Sequence, residues 1–139
     1  MKNAKWMLPV TLLLLSGLMA AQSLKQSTLI AQVPFDFMVS GKMIPAGECD
    51  IKAVDTNGLV LSVHNFDARK GALVSASRGE AGSNKTVLVF THYGDRYFLS
   101  SIQIEGSNSS YKLPVSSAER ELRAQNVTAS QTTLLASLR

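Results

Sequence analysis

Residues 91–101, with the sequence THYGDRYFLSS, contain the side chains best suited to chemistry in this chain. His92, Tyr93 and Arg96 lie close together there, beside an acidic residue. A histidine oriented by a carboxylate is the usual arrangement of a general base, and histidines with carboxylates are common metal ligands. We therefore take His92, Tyr93 and Arg96, with Asp36 further upstream, as the candidate ligand-binding residues.

The Gly-Asp pair at positions 94 and 95 favours a turn as the role of this stretch. A two-residue loop with glycine first suits a type II′ β-hairpin. The cross-strand pairs that this turn predicts are Tyr93 with Arg96, His92 with Tyr97, and Phe90 with Leu99. Strict alternation puts Val87, Val89, Thr91, Tyr93, Arg96, Phe98, Ser100 and Ile102 on one face, and Leu88, Phe90, His92, Tyr97, Leu99 and Ser101 on the other. We expect one face to contact the core, the other to lie under a helix or loop, and Tyr93 to stack with Arg96 at the exposed end.

The rest of the sequence supplies no catalytic or metal-binding spacing. His64 is the other of the two histidines, and neither an HxH nor an HExxH pattern is present. The sequence also lacks the GxSxG pattern of nucleophilic serines and the GxGxxG and GxxxxGK patterns of phosphate-binding loops. Asp36 alternates with two phenylalanines, which favours an outward side chain on a strand. We expect no catalytic residue, no metal and no cofactor, and therefore a protein that is not an enzyme.

The N-terminus has the composition of a secretory signal peptide. Two lysines precede an apolar run that ends in small residues near Ala21, and the run is shorter than the ~20 apolar residues that span a bilayer. We predict a signal peptide over residues 1–21, a secreted or periplasmic mature protein, and no membrane span after cleavage. Lys2 and Lys5 leave with the leader, which lowers the net charge from +4 to +2. Such a small charge excludes a nucleic-acid partner.

Cys49 is the single cysteine of an exported chain and cannot form an internal disulfide. It lies in an alternating apolar stretch, which favours a small buried side chain over a bond to a second chain. The hydrophobic core must therefore supply the stability of the fold.

Short strand-like segments follow one another from residue 29 onward, separated by turn signals such as IPAG at 44–47 and GD at 94–95. Near-regular spacing and the lack of a long helical pattern predict a mainly β fold, either an antiparallel β-sandwich or a small β-barrel. Ser116 precedes Glu119 by three residues, the spacing of a capping box, and predicts one short C-terminal helix that packs through Ala118 and Leu122. We expect a single β domain over residues 29–124 and a flexible tail over 125–139.

Three segments together resemble a family of short secreted bacterial proteins of unknown function. They are VPFDFMVSGKMIPAGECDIKAV, LVFTHYGDRYFLSSI and LPVSSAERELRA, and they cover roughly residues 29–124. The resemblance implies an exported β-rich domain and carries no activity or catalytic residue with it. Cys49 departs from the family's pattern after the PAG turn.

Two functions fit these observations. The first is a non-enzymatic exported β-domain that is a binding or structural module at the cell envelope, with an envelope protein or a polysaccharide as its partner. The second is a carrier that holds a small hydrophobic ligand inside the fold near Phe35, Phe37, Phe90 and Phe98. An enzymatic alternative would require His92 and a carboxylate at one rim.

Overall fold

The computed structural model describes residues 27–80 and 84–139, and the predicted signal peptide lies outside them. The described residues form a mainly β structure with one short helix, as the sequence predicts. None of their helical structure is long and apolar enough to cross a membrane. The elements are β1 (Leu29–Val33), β2 (Phe37–Val39), β3 (Lys42–Ile44), β4 (Gly47–Ala53), β5 (Val60–Asn65), β6 (Lys70–Ser75), β7 (Ser77–Glu80), β8 (Val87–Tyr93), β9 (Arg96–Gln103), β10 (Ser109–Lys112), α1 (Ser117–Ala124), β11 (Ser130–Leu135) and β12 (Ser137–Leu138).

The strands form two sheets in a sandwich-like arrangement. The first sheet has the order β12-β1-β4-β5-β6, with antiparallel neighbours throughout. The second has the order β11-β8-β9-β10-β7, and the short β2 adds to it by pairing in parallel with β9 and antiparallel with β3. The described strands do not close into a barrel, so the sandwich is the predicted architecture that is confirmed.

Two alanines mark the places where the chain passes from one sheet to the other. Ala76 separates β6 from β7, and Ala136 separates β11 from β12. The backbone N–H of Ala76 donates to Leu59 O at 2.7 Å, and that of Ala136 donates to Thr86 O at 3.0 Å. Strands that bend at such corners and change sheets join the two layers of a sandwich along its sides.

The prediction of a flexible tail over residues 125–139 is wrong. β11 pairs with β8 from Ser130 opposite His92 to Leu135 opposite Val87, and β12 pairs with β1. The tail is polar, but every second residue from Thr132 to Ala136 is half-buried, as in an edge strand with one covered face. The backbone of β8 supplies the hydrogen bonds that fix this segment, and composition alone does not reveal such a partner.

The core lies between the sheets and contains the inward-facing residues of both. Its largest fully buried side chains are Phe37, Phe90, Ile44, Leu88 and Ile102. The predicted assignment of residues to the two faces of the β8–β9 hairpin is correct near the turn and wrong further from it. At a β-bulge no residue of β8 lies opposite Ser100 in the register, so that Ile102 lies opposite Leu88 and faces the core.

The IPAG turn is held by two polar side chains. Asn65, which is buried, donates through Nδ2 to Pro45 O at 3.0 Å and to Ala46 O at 3.2 Å, and its Oδ1 accepts from Ala68 N–H. Asp36 Oδ1 accepts from Ala46 N–H at 2.9 Å. Gly47 has φ +139°, and a Cβ there would approach Asn65 Nδ2 to 3.1 Å, so glycine satisfies both the backbone and the packing.

Cys49 is a fully buried free thiol, as predicted. Burial, and then the charges of Asp50 and Glu48, raise the pKa of this thiol to about 11. The side chain is therefore an unreactive part of the core at neutral pH.

Candidate functional site

The hairpin of residues 91–101 has the predicted turn and pairing. Tyr93 lies opposite Arg96, His92 opposite Tyr97, and Gly94 has φ +65°, as the first central position of a type II′ turn requires. His92 stacks on Tyr97 with ring centroids 4.7 Å apart, and its Nδ1 lies 3.2 Å from Gly94 O. The histidine thus fits the structural role of a sheet residue at a turn.

Tyr93 and Arg96 do not stack on each other, contrary to the prediction. The Tyr93 ring is buried, and its hydroxyl donates to Glu119 Oε2 at 2.9 Å and accepts from Arg123 Nε at 2.9 Å. Arg96 lies over the ring of Phe98 at 5.8 Å. The two side chains diverge because the helix covers the face of the sheet where Tyr93 lies and supplies stronger, charged partners for its hydroxyl.

Glu119 is the polar residue that sequence reasoning missed. It is 4% exposed, and Arg123 Nη2 donates to its Oε2 at 3.0 Å. Ser116 Oγ accepts from Glu119 N–H, which confirms the predicted N-cap. The expected packing through Ala118 and Leu122 is secondary, since both are half-buried and Glu119 is the buried residue of the helix.

The Tyr93–Glu119–Arg123 cluster joins the helix to the second sheet. Burial is the main cause that raises the pKa of Tyr93. The hydrogen bond with Tyr93, followed by the charge of Glu119, raises the pKa of Arg123. The Tyr93 hydroxyl, Glu119 Oε2 and the Nε and Nη2 atoms of Arg123 bond to one another, so the cluster acts as a contact between the helix and the sheet.

The Asp36 carboxylate is bound to Ala46 N–H at the IPAG turn, whereas His92 and Tyr93, as successive residues of β8, lie on opposite faces of the second sheet. The structure therefore does not bring the four predicted residues, His92, Tyr93, Arg96 and Asp36, into one site. The two histidines are also separated, since His64 belongs to the first sheet and His92 to the second. Within residues 27–80 and 84–139, no group of three or more His, Cys, Asp or Glu side chains is placed to hold a metal ion.

A different set of polar side chains converges on the solvent side of the first sheet. One row across the strands contains Asp50, His64 and Gly71, and the next row contains Lys52, Ser62 and Leu73. We call these six residues, with Phe66 at the end of β5, the outer face. Two shallow depressions lie on it, of about 270 Å³ and about 330 Å³, and they share Ser62 and His64.

The imidazole of His64 is held in place from two sides. The Phe66 ring lies against it with centroids 4.2 Å apart, and a Cβ at Gly71 would collide with His64 Cδ2. Nδ1 is buried and has no hydrogen-bond partner among the described residues. An N–H at Nδ1 would have no acceptor among the described residues, whereas the tautomer with its proton on Nε2 avoids a buried donor without a partner.

The neighbours of His64 have their hydrogen-bonding capacity free. Within residues 27–80 and 84–139, the side chains of Asp50, Lys52 and Ser62 make no hydrogen bond or ion pair with the protein. Phe66 is 58% exposed and Leu73 is 61% exposed. Polar groups with unused capacity beside an exposed aromatic ring are the features of this face that suit a ligand.

A separate cavity of about 300 Å³ opens at one end of the space between the sheets. Its walls are mainly apolar and include Leu29, Ile51, Leu61, Ile102 and Tyr111. This location differs from the one predicted for a hydrophobic ligand.

The predicted ligand position around four phenylalanines is occupied by the protein itself. Phe90 packs edge-on against Phe35 at 5.0 Å and Phe37 at 5.2 Å, and Phe98 lies on the other side of the sheet, near Tyr93. The close aromatic packing leaves these residues as core and interlayer contacts.

No family model matches the chain, and no similar protein was found among curated proteins or among solved structures. The geometry of the outer face and of the cavity is therefore the basis for a proposed function.

Proposed function

We propose that this protein is a non-enzymatic, exported β-domain that is a binding module at the cell envelope, and that the outer face is its binding surface. The observation that carries the proposal is the combination of free polar side chains, a positioned His64 and the exposed Phe66 on one sheet face. An exposed apolar ring with a few polar side chains around it is a feature of binding sites.

Export and a non-enzymatic role are supported by further features. The composition of residues 1–21 is that of a secretory leader, which would place the mature domain in the periplasm or outside the cell. Two of the candidate ligand-binding residues are engaged in structural contacts: Tyr93 with Glu119, and Asp36 with the IPAG turn. A domain of this kind functions by binding a partner.

The experiment that tests the proposal is co-sedimentation of the purified mature protein with envelopes isolated from its own cells. Phe66→Ala removes the exposed ring of the outer face, and we expect it to weaken envelope binding about tenfold. Leu135→Ala is the matched control, because Leu135 is 67% exposed and lies on the second sheet. Equal sedimentation of all three proteins, or none for any of them, would refute the proposal.

A second candidate function is supported by the cavity between the sheets. Its volume of about 300 Å³ is at the lower limit of the ~300–1,000 Å³ typical of ligand pockets, and its walls are mainly apolar. These features suit a small uncharged apolar molecule and support a carrier role. Native mass spectrometry of the mature protein from its exported fraction tests it: added mass that is lost on denaturation supports a carrier, and the bare monomer mass opposes it.

Ala53→Leu provides a variant for the same measurement. Ala53 lines the cavity and is half-buried, so a larger side chain would fill part of the space. We expect the variant to lose the added mass while Phe66→Ala, on the outer face, retains it. Loss in both variants would place the ligand elsewhere.

A further inference from the structure

The outer face has a hydrogen-bonding composition that limits the chemistry of its ligand. A carboxylate such as Asp50 only accepts hydrogen bonds, an ammonium such as Lys52 only donates them, and the Ser62 hydroxyl does both. These three groups lie in adjacent rows of one sheet, on strands about 4.8 Å apart. A ligand that satisfies all of them must carry several groups that both donate and accept, closely spaced along one edge.

The apolar part of the same surface is a flat ring. Phe66 is exposed, and its position against His64 fixes it beside the polar row. A flat aromatic face takes up a flat apolar surface of similar size, with the hydroxyls of the ligand directed outward to the polar groups. Pyranose rings combine these two features, since their axial C–H bonds form an apolar face and their hydroxyls surround it.

The charges of the outer face favour an uncharged ligand. Asp50 and Lys52 have opposite signs and lie on the same strand, two residues apart. An anionic ligand would lie close to the Asp50 carboxylate, and a cationic ligand close to the Lys52 ammonium, so each would meet repulsion. A peptide or a second copy of the chain would also leave many of these charged groups incompletely paired.

The two depressions indicate the size of the ligand. The first is lined by Asp50, Lys52 and Phe66, the second by Lys42, Gly71 and Leu73, and Ser62 and His64 form the boundary between them. Each depression has a volume of roughly one small molecule, and they are adjacent across β5. A ligand with repeating units would occupy both, with His64 at the linkage.

From these observations we infer that the outer face binds an uncharged saccharide chain, with one sugar ring on Phe66 and the next unit beyond His64. This inference rests on the proposed function and names its ligand class. Phe66 supplies the apolar contact, Asp50 and Lys52 hold the hydroxyls, and Gly71 leaves the space in which the His64 ring lies.

The test uses ¹⁵N-labelled mature protein titrated with three soluble probes: cellohexaose, maltohexaose and chitohexaose. We expect at least one probe to shift the amide resonances of β4, β5 and β6 and to leave those of β8 and β11 unchanged. For that probe, Phe66→Ala should weaken binding about tenfold, Asp50→Asn should weaken it several-fold, and Leu135→Ala should bind as the wild type does. Absence of saturable shifts with all three probes at millimolar concentration would overturn the inference, as would shifts centred outside the outer face.

A second arm separates failure of the ligand class from failure of the proposed function. Envelopes are treated either with periodate, which cleaves the vicinal diols of sugars, or with protease, before co-sedimentation with the mature protein. Loss of binding after periodate alone supports the saccharide. If protease treatment alone abolishes envelope binding, and binding to untreated envelopes depends on Phe66, the saccharide inference is overturned and the proposed binding function remains in place.

Discussion

Replacing Tyr93 by phenylalanine removes a single oxygen atom from the contact between the helix and the second sheet. That oxygen donates to Glu119 Oε2 and accepts from Arg123 Nε, both at 2.9 Å. The ring remains in place against Phe98, so the change creates no apolar cavity. Its effect on stability is therefore that of the lost hydrogen bonds.

The magnitude follows from the burial of the two partners. Glu119 is 4% exposed and would lose one of its two side-chain bonds without access to water, which costs about 1.5–3 kcal/mol for a charged acceptor. The Arg123 side chain is 55% exposed, and water can replace the bond at its Nε. The free energy of unfolding should therefore fall by roughly 1.5–3 kcal/mol, with the Glu119 bond as the main contribution.

Urea unfolding followed by circular dichroism measures this loss. At an m-value of ~1–3 kcal/mol/M, the midpoint should fall by about 1 M while the slope stays constant. Tyr97→Phe is the matched control, because the Tyr97 ring stacks on Phe35 and His92 while its hydroxyl makes no hydrogen bond within the described residues. Equal midpoints for Tyr93→Phe and Tyr97→Phe would refute the assignment of this cluster as an interlayer contact.

Three further predictions concern other parts of the fold. Cys49 should resist alkylation by iodoacetamide at pH 8 in the folded protein and react after denaturation. Because folding raises the pKa of the thiol from 9.0 to about 11, its contribution to the free energy of unfolding is complete below pH 9 and is lost as the pH rises through about 11. Asn65→Ala should destabilise the protein by about 2–3 kcal/mol in urea unfolding, since it leaves two carbonyls and one N–H of the adjoining turns without a partner. Deletion of residues 130–139 should abolish cooperative thermal unfolding and cause aggregation in size-exclusion chromatography, because it exposes the edges of β8 and β1.

Each of these has a control or an opposing outcome. Rapid alkylation of folded protein at pH 8 would contradict the buried thiol. Asn108→Ala, in an exposed loop, should leave the urea midpoint unchanged, and an equal midpoint for Asn65→Ala would show that the turn does not depend on that side chain. A truncated protein with the wild-type melting temperature would restore the flexible-tail hypothesis.

Local features of the chain were predictable from sequence because nearest neighbours determine them. The Gly94 turn sets the pairing of Tyr93 with Arg96, and Ser116 caps the helix three residues ahead of Glu119. The IPAG turn likewise has a positive φ at its glycine, Gly47. In each case the residues that decide the geometry are within a few positions of one another.

The bulge at Ser100 and the pairing of β11 were not predictable by the same reasoning. An extra residue in one strand changes the face of every residue beyond it, and no local composition marked Ser100 as that residue. The C-terminal segment was polar by composition, yet β8 provided it with a hydrogen-bonding partner more than 35 residues earlier in the chain.

The candidate sites depend on such long-range contacts most of all. The sequence by itself determined a β-rich domain with its turns, its helix cap and a cysteine in an apolar stretch, since these follow from periodicity and backbone preference. It could not determine that Glu119 would reach Tyr93, or that Asp50, His64 and Gly71 would form one row. Those neighbours come from strand order and register, which are set by the packing of whole sheets and so were decided by the tertiary structure.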